Sequence, residues 1–245
     1  MFSTRKELKQ RAKASMEGTK PSYLIIGIIM MIAVNAESWM MAFFGPEMTL
    51  DEIMELPYEQ MTQSLEQYYR MSLPLQLASI ALALFVGVLT FGFMRYCLRL
   101  SRGEKEVPVD ELVSGFRIFF KVIGLNLITG LFIVLWGLLF IIPGIVAAYR
   151  YRMAPLLLMD HPDWSVMDCI RESKRLMQGH KGDLFVLDLS FFGWLLLSSV
   201  VTMLAAIPVL DIWLTPYMQV TECHFYNELV GWGREGESNE AWWEN

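Results

Sequence analysis

Glu37, Arg150 and Arg152 are ionisable residues set inside apolar stretches of the chain, and Glu222, His224 and Glu228 fall close together near its end. A charge at the centre of a membrane helix costs about 2.5–3.5 kcal/mol on insertion scales, so each such residue needs a partner or water. Depth follows from a helical rise of about 1.5 Å per residue. Glu37 precedes Phe44 by seven residues, which places it about 10 Å below that end of its stretch. Arg150 and Arg152 follow Ile145 by five and seven residues, at about 8–10 Å from the same surface. The shared depth predicts that Glu37 pairs with Arg150 or Arg152. The two arginines are about 200° apart around a helix, so one faces the bundle and the other takes a second partner or snorkels outward. Two readings stand: a polar cavity that binds an anionic or zwitterionic group, or a structural ion pair that locks two helices together.

Glu222 sits about 20 Å deep on the same count, with His224 and Glu228 beyond it. Metal ligation by these three is disfavoured, because Glu222 and His224 point about 200° apart and no HExxH is present. They read instead as polar residues at the inner interface, with Arg99 or Arg175 as partners. Asp188 is expected to pair with a basic residue, and Asp211 to be wet. Ser198 and Ser199 are adjacent, but no GxSxG, GxxxxGK[ST] or GxGxxG occurs. No catalytic set and no cofactor are therefore expected. Cys97, Cys169 and Cys223 cannot all pair within one chain, and none lies in a CxxC. A net charge of −6 excludes a strongly basic nucleic-acid binder.

The elements that carry these residues follow from composition. The 245 residues are 54% hydrophobic and only 19% charged, and the apolar residues run in long blocks, as bilayer-crossing helices require. Backbone groups in lipid must be satisfied within the element, and the blocks lack the polar–apolar alternation of barrel strands. The expected fold is all-α and polytopic, with six transmembrane helices at about 23–44, 73–100, 122–142, 145–160, 184–207 and 209–229. They form one domain over 22–230. Residues 1–21 are expected to form a basic amphipathic helix whose Leu8, Ala12 and Met16 make a thin apolar stripe, suited to an anionic membrane surface. Val34-Asn35-Ala36 mimics a signal-peptide cleavage site, but the apolar run resumes at Trp39, so an uncleaved first span fits better.

The connection 45–72 is acidic, with Thr49-Leu50-Asp51-Glu52 reading as a capping box, Pro57 as an interruption, and a second short helix through 59–71. Pro143-Gly144 reads as a breaker pair between the third and fourth spans. Residues 165–179 read as a cytoplasmic amphipathic helix, capped by Ser165, stopped by Gly179, with Arg171, Lys174 and Arg175 on the wet side. Residues 231–245 form an acidic tail containing Trp. The basic segments 1–21, 95–121 and 161–182 fall on one side of a six-span threading and the acidic connection on the other. The positive-inside rule then puts both termini in the cytoplasm.

Several stretches resemble an uncharacterised bacterial membrane-protein family catalogued as domain of unknown function 975. They are Arg5-Lys6-Glu7-Leu8-Lys9 through Met16-Glu17-Gly18, Leu135-Trp136-Gly137-Leu138-Leu139-Phe140-Ile141-Ile142-Pro143-Gly144-Ile145, and Tyr149–Pro155. The match extends through Ile170-Arg171-Glu172-Ser173 to Gly179-His180-Lys181, Leu187-Asp188-Leu189-Ser190, and 217–228, and is weakest at 35–75. The resemblance implies a bacterial multipass membrane protein and supplies no catalytic residue, and the loop charges above place it in the cytoplasmic membrane. The expected function is non-enzymatic: binding or moving a small or lipid-like molecule through a polar layer of Glu37, Arg150, Arg152 and Glu222. The alternative is an interaction or immunity-type protein that meets another membrane protein or a cationic peptide.

Overall fold

A computed structural model describes residues 3–45, 50–205 and 207–232. Glu47 and Thr49 of the acidic connection, with the cap assigned to Thr49, and tail residues 233–245 lie outside the described residues. Among the described residues the chain is helical, with no strand. It forms two compact units, one of residues 32–87 and one of residues 1–31 with 88–245.

The larger unit begins with α1 (Arg5–Met16). Thr4 caps it: the Thr4 hydroxyl accepts from the Glu7 amide at 3.4 Å, and the Glu7 carboxylate accepts from the Thr4 amide at 2.8 Å. The Lys105 ammonium donates to the carbonyls of Ala14, Ser15 and Glu17 at 2.7–2.9 Å and so neutralises the other helix end. The apolar stripe of Leu8, Ala12 and Met16 is buried. The helix packs on α11 (Asp211–Leu229), so the stripe is not available to enter a lipid surface. That corrects the expectation for this face and leaves the basic face outward.

Helix α2 (Tyr23–Phe44) has the expected bounds. Within the larger unit its Gly27 lies against the Ile212 carbonyl so closely that any Cβ would collide with backbone. The last turns of α4 (Tyr58–Ser101) meet a 3₁₀ segment, Val109–Ile118, in the same manner. Gly92 faces the Leu112 carbonyl and Gly115 faces the Val88 carbonyl, so each chain yields a side chain where the other passes.

Helices α5 (Phe119–Leu139) and α6 (Ile141–Tyr151) form a tight hairpin. The break falls at Phe140 (φ −160°, ψ 146°), not at Pro143-Gly144. Pro143 sits in the first turn of α6, where its missing N–H removes no helical bond. The expected fourth span is also divided. Helix α6 ends at Tyr151 and α7 (Ala154–Asp160) begins with Pro155 in its first turn. At 11 residues, α6 is about 16 Å long, short of a bilayer's roughly 30 Å core. Helix α8 (Val166–Leu176) is capped by the Ser165 hydroxyl on the Asp168 amide, and Gly179 takes φ 84° beyond it. Arg171, Lys174 and Arg175 are on its exposed side. Helices α9 (Lys181–Leu189), α10 (Phe192–Ala205) and α11 complete the unit.

The smaller unit holds the second half of α2, α3 (Leu50–Met54) and the first half of α4. The short helix expected over 59–71 is not separate: α4 is continuous for 44 residues through Pro74. Pro57 stands just before its start, where its carbonyl accepts from the Gln60 and Met61 amides. Pro74 costs α4 one interior hydrogen bond. Among the described residues, four helical stretches are long and apolar enough to cross a membrane: Tyr23–Phe44, Tyr58–Ser101, Val109–Leu139 and Lys181–Ala205.

Candidate ligand cavity and the buried ion pairs

The α6–α7 break brings Arg152 to α11. Arg152 Nε donates to Glu222 Oε1 at 2.6 Å and Nη2 to Oε2 at 3.2 Å, a two-bonded fork. Glu222 is 13% exposed, whereas Arg152 remains 48% exposed. Beside them the Tyr149 hydroxyl donates to Asp188 Oδ2 at 3.0 Å. Arg152, Glu222 and Asp188 line a cavity of about 290 Å³ with Gln219 and Thr215, and Leu187, Phe191, Leu195 and Met218 supply the apolar part. Thr215, Met218, Gln219 and Glu222 recur at helical spacing of three and four on α11, so they share one face. Arg152 Nη1 makes no hydrogen bond among the described residues. The cavity therefore combines an unused guanidinium donor, a carboxylate and a greasy wall.

The residues singled out from sequence are thus placed with other partners than expected. Arg152 holds Glu222, and Glu37, in its own unit, accepts a hydrogen bond from Ser79. Arg150 forms no ion pair among the described residues, and its carbonyl accepts from the Ser173 hydroxyl at 2.9 Å. The partners expected for Glu222 are occupied elsewhere, Arg99 by Glu104 and Glu111 and Arg175 by Glu172. Asp188 takes a tyrosine, not a cation. Asp211 accepts from the buried Ser198 at 2.5 Å, so it is tied into the α10–α11 corner. His224 and Glu228 face α1: Ser15 lies 3.0 Å from His224 Nε2, and Arg11 pairs with Glu228 at 2.8 Å. Among the described residues no group of three or more His, Cys, Asp or Glu side chains is placed to hold a metal ion.

A second ion pair was not anticipated at all. Arg102 donates through both Nη atoms to both Asp160 oxygens at 2.6 Å, with the side chains 15% and 13% exposed. Tyr226 donates to Asp160 Oδ2 at 2.9 Å, Arg102 Nε to Asn227 at 3.3 Å, and Asn227 to the Ser101 hydroxyl at 2.9 Å. Trp232 closes the top, its ring 4.0 Å from the guanidinium carbon. All three guanidinium nitrogens donate, so this knot joins the ends of α4, α7 and α11. A third group, Arg95 and Arg99 around Glu111, ties the 3₁₀ segment to α4.

Among the described residues, long apolar helices joined by arginine–carboxylate pairs define an all-helical protein of membrane-spanning composition. Residues 1–149 and 138–231 match the family model described as "Protein of unknown function (DUF975)", and the chain belongs to that family. No curated protein and no solved structure matches it.

Proposed function

We propose that the chain is a protein of the bacterial cytoplasmic membrane with six crossings, the fourth made by α6 and α7 together, that binds, without catalysis, a small zwitterionic or lipid-like amphiphile in the Arg152–Glu222 cavity. The observation that carries this reading is the half-exposed Arg152 fork beside Asp188, facing an apolar wall inside one cavity. An anionic group fits the spare guanidinium donor, an ammonium fits Asp188, and a short hydrocarbon chain fits Phe191, Leu195 and Met218. Native mass spectrometry of the purified chain tests it. The wild type retains phosphatidylethanolamine through detergent exchange and Arg152→Gln loses it. Equal retention by both contradicts the reading.

Both termini lie in the cytoplasm in this proposal, from the positive charge of segments 1–21, 95–121 and 161–182. Reporter fusions at residues 60 and 170 then report opposite compartments, and fusions that report the same compartment overturn the threading. A second reading rests on the exposed acidic residues Asp51, Glu52, Glu55, Glu59 and Glu66 of the smaller unit. They offer a cationic peptide or another membrane protein a docking face. Binding of a cationic peptide that persists in Arg152→Gln but falls in a variant neutralised at these positions favours that second reading.

A further inference from the structure

A separate cleft of about 540 Å³ lies between α1 and the α9–α10 junction. Its lining is Arg5, Lys6, Lys9 and Lys13 from α1, with Thr4, Gln10, Ser190 and Tyr217, so among the described residues it holds four cations and no carboxylate. Their spacing explains the convergence. Positions 5, 6, 9 and 13 fall on one helical face, and the burial of Leu8, Ala12 and Met16 on the neighbouring face orients that side across the cleft.

Three of the four cations have no carboxylate partner in the fold among the described residues. Arg5, Lys6 and Lys13 form no ion pair with any carboxylate among the described residues, whereas Arg11, one step round the helix, is held by Glu228. Lys9 is fixed at the floor, donating to the Ser190 carbonyl at 2.9 Å with its ammonium 3.8 Å over the Phe191 ring. Partial burial lowers its pKa first, and the neighbouring charges of Arg5 and Lys13 lower it further. Four like charges in one recess repel one another, and an anion with several acceptor oxygens relieves that repulsion. Leu189, next to Ser190 in the chain, and Phe192, two residues beyond it, are both exposed large apolar residues. A cationic recess beside an exposed greasy surface matches a charged headgroup attached to hydrocarbon.

We propose that this cleft binds a phosphate group, carried by the headgroup of an anionic phospholipid whose acyl chains run over Leu189 and Phe192. The site is independent of the Arg152–Glu222 cavity.

The test is the thermal unfolding midpoint of the purified full chain in nonionic detergent, titrated with phosphatidylglycerol, with phosphatidylcholine of the same chain length, or with inorganic phosphate. The variant is the triple substitution Arg5→Gln, Lys6→Gln and Lys13→Gln, which removes exposed charges that form no ion pair among the described residues, Lys13 lying over the Tyr217 ring, and leaves the Thr4 cap intact. Phosphatidylglycerol is expected to raise the wild-type midpoint saturably, with a half-saturation concentration at least tenfold higher in the triple variant. Phosphatidylcholine should act more weakly and equally on both proteins. Arg11→Gln, a charge lost outside the cleft, should keep the wild-type response to phosphatidylglycerol. An unchanged response in the triple variant, or one matched by phosphatidylcholine, overturns the site. Inorganic phosphate that alone reproduces the saturable shift and competes with the lipid overturns the lipid as the source of the phosphate.

Discussion

Arg102–Asp160 and Arg152–Glu222 are both two-bonded arginine–carboxylate forks, yet they sit in opposite surroundings. The first is 15% and 13% exposed, saturated by Tyr226 and Asn227 and capped by Trp232. The second keeps an arginine 48% exposed beside an open cavity, with one guanidinium nitrogen unused among the described residues. The chemistry of a pair therefore does not decide its role. What decides it is whether donors and space remain after the pair has formed. A closed pair holds helices together, and an open one has something left to offer a ligand.

Breaking the closed pair should have the largest effect. Asp160→Asn leaves Arg102 buried without its counter-charge, which costs about 3–5 kcal/mol when a buried pair loses one member. A chain that unfolds many degrees lower, or does not accumulate folded at all, is expected in a thermal melt. Glu222→Gln should cost less than half of that, because the exposed side of Arg152 can recruit water or lipid headgroup. Equal losses at the two sites would erase the distinction drawn between them. Ser165→Ala, which removes the cap of α8 without touching either pair, should cost about 1 kcal/mol. Arg175→Gln breaks an exposed pair three residues apart on α8 and should cost under about 0.5 kcal/mol. It sets the floor against which Glu222→Gln is judged.

The sequence made some of this legible. Apolar run length fixed α2 at Tyr23–Phe44, and the Ser165 and Gly179 signals bracketed α8, because local chemistry alone determines where those helices begin and stop. Helix breaks inside apolar runs were less visible. Phe140 carries no breaker signature, and the Arg152-Met153 break is marked only by Pro155, which opens the next helix. Partner choice failed for a definable reason. The expected depths run from Ile145 for Arg152 and from Val209, the expected start of the sixth span, for Glu222. Counted from the observed helix starts, Ile141 and Asp211, each lies eleven residues in, so the two share a depth of about 16 Å. The Arg102 knot was missed because Arg102, Asp160 and Tyr226 lie near helix ends, where charge is inexpensive and asks for no explanation. Their common end of the threading was the available signal. The basic cleft was hidden by a plausible alternative: the apolar stripe of α1 suits a membrane surface as well as it suits α11.

Thiol labelling of Thr215→Cys tests the open cavity most directly. Thr215 is exposed and lines it, while Cys97, Cys169 and Cys223 are all buried, with burial pushing the Cys169 thiol up to about 11. In the purified chain, a hydrophilic maleimide should modify the introduced thiol, and phosphatidylethanolamine should block that modification in a way that Arg152→Gln abolishes. Failure to label, or labelling that the lipid leaves unchanged, would contradict a ligand-binding cavity at Arg152 and Glu222.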